Sequence, residues 1–504
     1  MTRLVTRSAL ADLLSAWLPA QRWFAGGARM CQVDITSDVR LTDAGAEGTE
    51  VPELRHLMAD AWLGQEKVTY QVPVGIRTQM PARLAAAEIG RLPDGRIAYD
   101  GTADPHLTAA LLRGIAEQRT AGPLRFAAEP GAIIDATAAG RTLPPLASNT
   151  SIVFGDSAIL KLLRRPFTGH HPDLEVPAAL ARNGSHLVAA PLGWIDMPGR
   201  GGGEPAVLAI LSVYFPHSTD GWSLATASLR APDQDFATQA QLLGEATAKL
   251  HAELAAAFGT GVLARHTLAD LTGAMQTELS KAITIVPSLR EHEMTVRACY
   301  EALAGTRADI EVQRIHGDYH LAQVLGTDRV DPGADELPAP RRRPDLPAHP
   351  RRPDLPAHPR GPDLPAPRRR LGPRGDEPPA PPGRWVVLDF EGEPSVPLAR
   401  RRSFAPALRD VAGMLRSFDY AARHEALRRP ADRPLADAAS VWVKRCQDAF
   451  CSGYGRITGC DPRTSGPLLR ALILQKAVYE AVYEARHRPD WLPIPVAAIA
   501  EATR

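Results

Sequence analysis

The first hundred residues carry two different hydrophobic periods. Residues 4–18 place apolar side chains three and four positions apart, which is typical of an amphipathic helix. Residues 31–41 and 67–74 are strand-like, and the second stretch, KVTYQVPV, alternates as a half-buried strand does. We therefore interpret residues 1–105 as a small mixed domain of helix and strand.

The middle of the chain has the pattern of a sheet. Residues 150–163 predict two strands joined by a turn at Gly155 and Asp156, which is a strong hairpin signal. A short helix is expected to begin near Pro172–Glu175, and residues 205–215 predict an apolar strand.

Helical periodicity dominates the second half of the chain. Long amphipathic helices are predicted over 236–258 and 267–282, and helices dominate again from Leu408 onward. Short strand-and-loop units interrupt them at 311–325 and 385–391. A sheet-rich first half and a helix-rich second half indicate an α+β fold with a cleft between two lobes.

Proline is the unusual part of the composition, because the 504 residues include 46 prolines. The segment from Asp331 to Arg384 contains 17 of them, and its 11 Arg and 8 acidic residues make a net charge of +3. The repeat RPDLPAHPR at 343–351 and 352–360 favours polyproline II and predicts a disordered insert; a docking site for a proline-reading or anionic partner is the alternative. The remaining 47 basic and 49 acidic residues give no basis for nucleic-acid binding.

Cysteine content and hydropathy predict the cellular compartment of the protein. Five cysteines without a CxxC pair indicate a reducing environment rather than a disulfide scaffold or a zinc site. The N-terminal segment lacks the apolar run of a signal peptide. No stretch of about 18 apolar residues predicts a transmembrane helix. We therefore expect a cytoplasmic protein without a membrane partner.

Two distant segments carry the residue types that phosphoryl transfer needs. They are IHGDYHLAQVL over 315–325 and WVVLDFEGEP over 385–394. A carboxylate must accept or orient the proton of the attacking hydroxyl, and Mg²⁺ prefers hard oxygen ligands. The spacing is that of the D-x-x-x-x-N loop and the D-F-G motif of protein kinases, with Gln for Asn and Glu for Gly. The candidates are Asp318 for the base and Gln323, Asp389 and Glu391 for the metal.

A lysine within the apolar stretch AILKLL is the candidate cation for the nucleotide phosphates. This residue is Lys161, and Glu175 at the start of the next helix is expected to hold it by an ion pair. The alternatives are a snorkelling lysine on an edge strand and a solvated carboxylate at a helix start.

Two further segments are candidates for binding the nucleotide. The loop of Ser148, Asn149, Thr150 and Ser151 is expected to close over phosphates with its hydroxyl and N–H groups, a plain turn being the alternative. The strand over 208–215 leads to the expected hinge between the lobes. There Ser212, Val213 and Tyr214 would face adenine. The glycine run 199–203 lacks GxxxxGK[ST] and predicts only a hairpin turn.

Short motifs run in order along almost the whole chain. They are QRWFAG (21–26), YQVP (70–73), SNTS (148–151), PDLE (172–175), DGW (220–222), HGDYHLAQ (316–323), DFEGEP (389–394), RDVAGMLRSF (409–418), YEAVYEAR (479–486) and RPDWLPIP (488–495). Together they resemble bacterial maltokinases, including the maltokinase half of trehalose synthase–maltokinase fusions. The insert has no counterpart, and Gly27 stands where the family usually has lysine, so that any contact of that lysine is absent or shifted to Arg29.

This resemblance implies a bilobal protein-kinase-like (aminoglycoside phosphotransferase-like) α+β fold. It implies a mixed α/β cap subdomain over 1–105, a nucleotide-binding N-lobe over 106–215, and a helical C-lobe over 216–504 that contains the disordered insert 331–384. The implied activity converts maltose and ATP, with Mg²⁺, to maltose 1-phosphate for α-glucan synthesis from trehalose. Coupling to trehalose synthase would need a separate subunit. The implied roles are base for Asp318, magnesium binding for Gln323 and Asp389, accessory ligand for Glu391, and nucleotide binding for Lys161.

A disaccharide is held by aromatic faces and charged hydrogen-bonding groups. The helix over 472–486 has such residues three and four positions apart. The candidates for the acceptor side are Lys476, Tyr479 and Glu480, with Tyr420, Arg409 and His316. Core packing of the tyrosines and a solvated Glu480 form the alternative. His316 and His320 are expected to order their loop rather than bind Mg²⁺, which avoids nitrogen.

Two other functions stay open. One is another small-molecule kinase of the same superfamily, acting on an aminoglycoside, choline or a different sugar. The other is a non-catalytic scaffold that uses the insert.

The strands on either side of the insert are expected to be hairpin neighbours, so the insert must leave and return at nearly the same point. The entropy of closing a long loop rises only slowly with length.

Overall fold

In a computed structural model of the chain, antiparallel sheets dominate the first half and helices the second, which confirms the predicted α+β order. The structure describes residues 2–25, 32–41, 51–144, 149–199, 203–231, 235–306, 309–327, 383–393, 401–429 and 433–503. The predictions for Gly27, Arg29, Ser148, residues 200–202 and residues 331–382 of the insert concern positions outside these ranges.

The helices are α1 (Thr2–Trp17), α2 (Pro105–Ala116), α3 (Pro172–Arg182), α4 (Gly221–Arg230), α5 (Ala237–Phe258), α6 (Arg265–Ile285), α7 (Glu293–Ala304), α8 (Leu408–Arg428), α9 (Arg433–Thr458), α10 (Gly466–His487) and α11 (Pro493–Ala502). The strands of the first half are β1 (Gln32–Arg40), β2 (Glu53–Leu63), β3 (Glu66–Arg77), β4 (Glu88–Arg91), β5 (Ile97–Asp100), β6 (Thr120–Ala121), β7 (Leu124–Ala128), β8 (Gly140–Thr142), β9 (Asn149–Phe154), β10 (Ala158–Thr168), β11 (Pro191–Met197) and β12 (Ala206–Val213). The later strands are β13 (Thr219–Asp220), β14 (Thr260–Val262), β15 (Glu311–Gln313), β16 (Val324–Thr327) and β17 (Arg384–Val387).

The first sheet, in the order β1-β2-β3-β5-β4, is covered on both faces. On one face Tyr70, Val72 and Val74 of β3 share a core with Leu10 and Leu14 of α1. On the other face β3 packs against β10. The prediction of a half-buried strand over 67–74 is therefore wrong from Tyr70 onward, where every residue to the end of that stretch is buried. The alternation of apolar residues does not reveal a second covering layer, because Gln71 and its neighbours look like a polar face.

Gln71 shows why a polar residue suits this second face. Its side-chain amide Nε2 donates to the carbonyl oxygens of Leu163 in β10 and Leu208 in β12. His56 lies on the same side of the sheet, and its Nε2 contacts Gln71 Oε1 at 2.9 Å. A buried amide must be hydrogen-bonded, so Gln71 ties the first sheet directly to the second.

The second sheet has the order β6-β7-β11-β12-β10-β9-β8. β9 and β10 form the predicted hairpin, and Gly155 in the turn has φ +51°, a left-handed conformation that favours glycine. β11 and β12 also pair, from Pro191–Ser212 to Met197–Ala206, so these consecutive strands are antiparallel neighbours, while the turn predicted for 199–203 falls largely outside the described residues. Lys161 lies on β10, an inner strand of this sheet between β12 and β9.

A third sheet brings the two ends of the insert together. β16 pairs with β17 in antiparallel register, from Val324–Val387 to Thr327–Arg384, and Gly383 N–H donates to Thr327 O at 2.7 Å. The two ends of the insert are therefore neighbours, as predicted. Two halves of one candidate site, which lie far apart in the sequence, are joined by this pairing.

The helical lobe is organised around α10, which packs against α6, α7, α8 and α11. α5 and α9 pack side by side along the same core. In the described part of the chain, no helix is long and apolar enough to cross a membrane. The described cysteines, Cys299, Cys446, Cys451 and Cys460, are free thiols, which agrees with the absence of a disulfide framework. The boundaries between the three predicted domains stay a prediction.

Glycines at the α5–α9 contact make a prediction about stability. A Cβ atom on Gly244 would lie 2.1 Å from the Phe450 carbonyl oxygen, and one on Gly453 would lie 2.0 Å from the Gln241 carbonyl oxygen. Gly244→Ala and Gly453→Ala should each lower the melting temperature, because overpacking costs about 1–3 kcal/mol. This loss outweighs the helix propensity of alanine, which favours it over glycine by about 1 kcal/mol.

The matched control is Gly273→Ala on the exposed side of α6, where a Cβ atom would meet nothing within 4 Å. It should leave the melting temperature unchanged or raise it. Equal melting temperatures for all three variants, measured by differential scanning fluorimetry, would contradict the close approach of α5 and α9.

Candidate active site

A carboxylate of α8 accepts hydrogen bonds from the backbone of the loop that joins β15 to β16. Asp410 accepts the N–H groups of His316 at 2.8 Å and Gly317 at 2.9 Å. The ring of His251 contacts the same carboxylate at 3.2 Å. Gly317 has φ +86°, which favours glycine at this turn. From the sequence, Asp410 was identified only as part of the motif RDVAGMLRSF. The feature that could have revealed its role is a single carboxylate in the otherwise apolar stretch DVAGML.

His316 ties this loop to the strand that follows the insert. Its Nε2 donates to the Leu388 carbonyl oxygen at 2.7 Å, and its Nδ1 accepts the Asp318 N–H at 3.3 Å. The residue is 1% exposed and packs on Phe390, with ring centroids 4.9 Å apart. Both ring nitrogens are used within the protein, as the loop-ordering interpretation predicts, and the assignment of His316 to the substrate stays a prediction.

Lys161 lies among three carboxylates from different parts of the chain. Its Nζ is 2.8 Å from Asp173, 3.0 Å from Asp389 and 2.5 Å from Glu391. Burial alone would lower the pKa of this ammonium, but the charges of the carboxylates outweigh it and hold the pKa well above its usual value. Lys161 is therefore cationic at neutral pH and links the sheet to the segment after β17.

The expected partner of Lys161 was the wrong residue of α3. Glu175 bonds instead to Arg314 at 3.1 Å and Arg402 at 3.0 Å. Asp173 takes the place beside Lys161 and also accepts the Phe390 N–H at 2.9 Å. Residues two apart on a helix point in different directions, so the first turn of α3 can present only one of the two carboxylates to Lys161.

The predicted metal ligands converge on the same place. Asp389 follows β17 with φ +57°, a strained conformation for a residue other than glycine that is typical of functional sites. Leu388 N–H donates to the Gln323 carbonyl oxygen at 2.9 Å, which brings the Gln323 backbone next to Asp389. Asp389 and Glu391 both contact the Lys161 ammonium. Carboxylate and amide oxygens suit Mg²⁺.

A metal ion that is bound by protein side chains alone would need more ligands than this site offers. Among the residues that the structure describes, no group of three or more His, Cys, Asp or Glu could hold a metal ion. Magnesium in kinase sites uses one or two carboxylates and completes its coordination with phosphates and water. The donor set at Asp389 therefore fits a metal that arrives with a nucleotide.

The predicted phosphate loop is part of a strand. Asn149, Thr150 and Ser151 are the first residues of β9 and face Leu163, Leu162 and Lys161 on β10. The hydroxyl of Thr150 is buried and accepts from Arg164 Nε at 2.8 Å. At Thr150 and Ser151 the structure agrees with the strand predicted over 150–163 and not with the phosphate loop, and the ladder with β10 starts one residue earlier, at Asn149. Ser151, directly opposite Lys161, is the member of the set closest to the charged cluster.

The expected adenine-facing residues lie where β12 ends and the chain crosses to α4. Val213 N–H donates to the Ala190 carbonyl oxygen at 3.0 Å, and Tyr214 N–H donates to the Ser157 carbonyl oxygen at 2.9 Å. Ser212 lies in the ladder opposite Ile159. Both N–H groups are hydrogen-bonded within the protein, so only carbonyl and side-chain atoms of these residues are left to contact adenine. That contact stays a prediction.

On the acceptor side, α10 brings a lysine onto the candidate base. Lys476 Nζ lies 3.1 Å from Asp318 Oδ1 and 2.8 Å from Glu393 Oε1. Arg409 approaches the other oxygen of Glu393 at 3.5 Å, and the Tyr479 ring lies 5.0 Å from the ammonium. Of the predicted acceptor-side residues, Lys476 contacts Asp318 directly, Tyr479 lies against Lys476, and Arg409 approaches Glu393. Glu393 was missed, although it belongs to the DFEGEP motif.

Glu480 and Tyr420 form contacts of their own. Glu480 accepts from Arg416 at 2.6 Å, so the alternative of a solvated side chain is wrong for it. Tyr420 donates its hydroxyl to Glu484 at 2.5 Å and packs near Trp491, with ring centroids 6.0 Å apart. Their role in acceptor binding stays a prediction.

Charge around Asp318 decides its protonation. Burial alone would raise the pKa of this carboxyl, but the charge of Lys476 and its hydrogen bond to Oδ1 outweigh burial, and the pKa of Asp318 lies below the usual value. Burial lowers the pKa of His320 to about 4, so this ring is neutral at pH 7. Its Nδ1 accepts the Ala322 N–H at 3.2 Å, which orders the loop as expected. Asp318 is thus ionised at neutral pH, as a general base must be.

Comparisons with known proteins support the cap and the fold. Residues 17–104 match the maltokinase N-terminal cap domain. A glucosamine kinase of Streptacidiphilus jiangxiensis is 28% identical over 427 residues, which cover 79% of this chain and 80% of that protein. A glucosamine kinase of Mycolicibacterium smegmatis is 28% identical over 371 residues, which cover 70% of this chain and 76% of that protein.

Solved structures of glucosamine kinase share the architecture. One, in complex with glucosamine, ADP and inorganic phosphate, has a TM-score of 0.60 and 22% identity and covers 97% of this chain and 98% of its own. A second crystal form has a TM-score of 0.63 and 21% identity, with the same coverage. Residues 17–104 are therefore similar to the cap domain of maltokinases, and the chain as a whole has the fold of the solved glucosamine kinases.

Proposed function

We propose that the chain transfers the γ-phosphoryl group of ATP to the anomeric hydroxyl of maltose and forms maltose 1-phosphate. One observation carries the proposal: a base, a phosphate-binding cation and a metal-ligating carboxylate from distant parts of the sequence converge. Lys161 contacts Asp389 at 3.0 Å. His316 links the backbone of Asp318 to Leu388, the residue before Asp389.

Asp318 would act on the acceptor. As the hydroxyl oxygen attacks, a bond forms to the γ-phosphorus, the bond from that phosphorus to the bridging oxygen breaks, and ADP leaves with the electron pair. The hydroxyl proton passes to Asp318. An ionised carboxylate at neutral pH, supported by the lowered pKa of Asp318, suits this role.

Lys161 and the carboxylates around it would act on the nucleotide. Three carboxylates around one ammonium leave an excess of negative charge, which a divalent cation would neutralise. The residues that would hold Mg²⁺ are Asp389, Glu391 and Gln323, and the ion would supply neutralisation of the phosphate charge. Lys161 would then be free to bind the nucleotide phosphates.

Maltose as acceptor rests on the cap-domain match and on the resemblance of residues 409–418 and 479–495 to maltokinases. Its product would feed α-glucan synthesis, with a separate trehalose synthase as the partner. Glucosamine is the second candidate, because the relatives from Streptacidiphilus jiangxiensis and Mycolicibacterium smegmatis are glucosamine kinases. Carboxylates on the acceptor side, Glu393 and Glu480, would also suit an amino sugar.

Replacing the base or the metal-ligating carboxylate should abolish transfer. Asp318→Asn should lower kcat by about 10²–10⁴, the usual contribution of a general base, and Asp389→Asn should show a loss at least as large. Asp270→Asn, an exposed aspartate on α6, is the matched control and should keep full activity. Full activity of either site variant, with melting temperatures equal to the wild type, would refute the assignment.

The acceptor can be identified directly. Phosphorus NMR of reactions with ATP and maltose should show a sugar 1-phosphate, which gives both the acceptor and the position. Glucosamine, glucose, trehalose and kanamycin serve as parallel acceptors. A product with glucosamine and none with maltose would replace the first candidate by the second, while the kinase assignment would stand.

The two carboxylates of α3 should behave differently. Asp173→Asn should raise KM for ATP about tenfold, because loss of one charge-assisted hydrogen bond amounts to about 1.5 kcal/mol. Glu175→Gln should instead lower the melting temperature, since Arg314 and Arg402 lose their shared partner, with little change in KM for ATP. The opposite pattern in the same kinetic and melting measurements would restore Glu175 as the partner of Lys161.

A further inference from the structure

The loop that carries Asp318 has no cation of its own. Between Ile315 and Thr327 the sequence contains neither lysine nor arginine. Transfer of a phosphoryl group nevertheless develops negative charge next to the base. The side chain that brings a positive charge to Asp318 comes from α10, where Lys476 lies 158 residues further along the chain.

The lysine is held in place from its far side. Glu393 accepts from Lys476 Nζ at 2.8 Å, and Arg409 in turn approaches Glu393 at 3.5 Å. The side chains of Asp318 and Glu393 are 5% and 7% exposed, and that of Lys476 is 17% exposed. A lysine confined between two buried carboxylates has little rotational freedom left, so its position is set before any substrate arrives.

The two oxygens of Asp318 have different surroundings. Oδ1 accepts from Lys476 at 3.1 Å. Oδ2 lies 3.8 Å from His320 Nε2, beyond hydrogen-bonding distance. A carboxylate fixed through one oxygen presents the other in a defined direction, which is what proton transfer from a bound hydroxyl requires.

We propose that Lys476 is the positioning residue of the base: it binds Oδ1 of Asp318, leaves Oδ2 for the acceptor hydroxyl, and is itself held by Glu393. This inference rests on the proposed phosphoryl transfer and adds to it a residue that acts through Asp318. It also explains why the acceptor side is built on α10, since this helix delivers the cation that the loop lacks.

The contact makes the titration of Asp318 depend on a distant helix. The charged and titratable groups that face this carboxyl are Lys476 from α10, His316 and His320 from its own loop, and Arg401 from the segment before α8. Without Lys476, burial would dominate and raise the pKa of Asp318. The acid limb of the rate profile, which reports the ionised base, would then move to higher pH.

The experiment compares Lys476→Met and Lys476→Arg with the wild type, using ATP with maltose and with glucosamine. Lys281→Met, an exposed lysine on α6, is the matched control. In Lys476→Met, kcat should fall about 10²-fold, KM for ATP should stay within about twofold, and the acid limb of kcat/KM should move up by about one pH unit or more. Lys476→Arg should restore the acid limb.

Carbon NMR of ¹³C-carboxyl aspartate, with Asp318→Asn to assign the signal, measures the same pKa without turnover. A higher pKa of Asp318 in Lys476→Met supports the inference, and an unchanged pKa overturns it even if activity is lost. Glu393→Gln keeps the cation and removes a like charge near Asp318, so the pKa of Asp318 should stay at or below its wild-type value, opposite to Lys476→Met. Lys476→Gln serves in the same measurement if Lys476→Met does not fold. A wild-type protein that phosphorylates no acceptor would refute the proposed function, while this titration would still decide the contact.

Discussion

The site depends on one partly buried ammonium whose charge is balanced by carboxylates from distant segments. Lys161 lies on an inner strand of the second sheet with its side chain 21% exposed, and removing a charge this far from water is costly unless it is paired. Asp173 approaches it from α3, and Asp389 and Glu391 approach it from the segment after β17 at 3.0 and 2.5 Å. These ion pairs offset the cost of desolvating the ammonium and favour the meeting of the sheet, the helix and the segment after the insert at this point. Phosphoryl transfer needs that meeting.

A second constraint concerns backbone groups of the irregular loop around Asp318. Buried N–H groups outside helices and sheets need partners. The loop therefore relies on Asp410 for His316 and Gly317, and on the His316 ring for Asp318. These contacts come from α8 and from within the loop, whereas the cation beside the base comes from α10. The helical lobe thus holds the loop that carries Asp318 and, through Lys476, places a positive charge beside the Asp318 carboxylate.

Much of this organisation was predictable from local pattern. The β9–β10 hairpin, α3 and the pairing of strands across the insert were all confirmed, because turn residues, caps and apolar periods act over short distances. The order and spacing of their motifs predicted that Asp318, Gln323 and Asp389 belong to one site, and their roles stay a prediction. The errors share one cause. The partner of Lys161, the phosphate loop expected at Asn149–Ser151 and the covered face of β3 all depend on what packs against these residues, and the local sequence does not contain that information.

The sequence by itself determined which residue types the chain offers to a phosphoryl-transfer site and in what order, since spacing within a strand or helix sets which side chains share a face. Tertiary structure decided which charges meet. Asp173 rather than Glu175 reaches Lys161, Asp410 holds the loop, and Lys476 reaches Asp318 across 158 residues. Ion pairs between distant segments follow from the packing of helices and sheets, because a buried charge is stable only where the whole fold brings its partner.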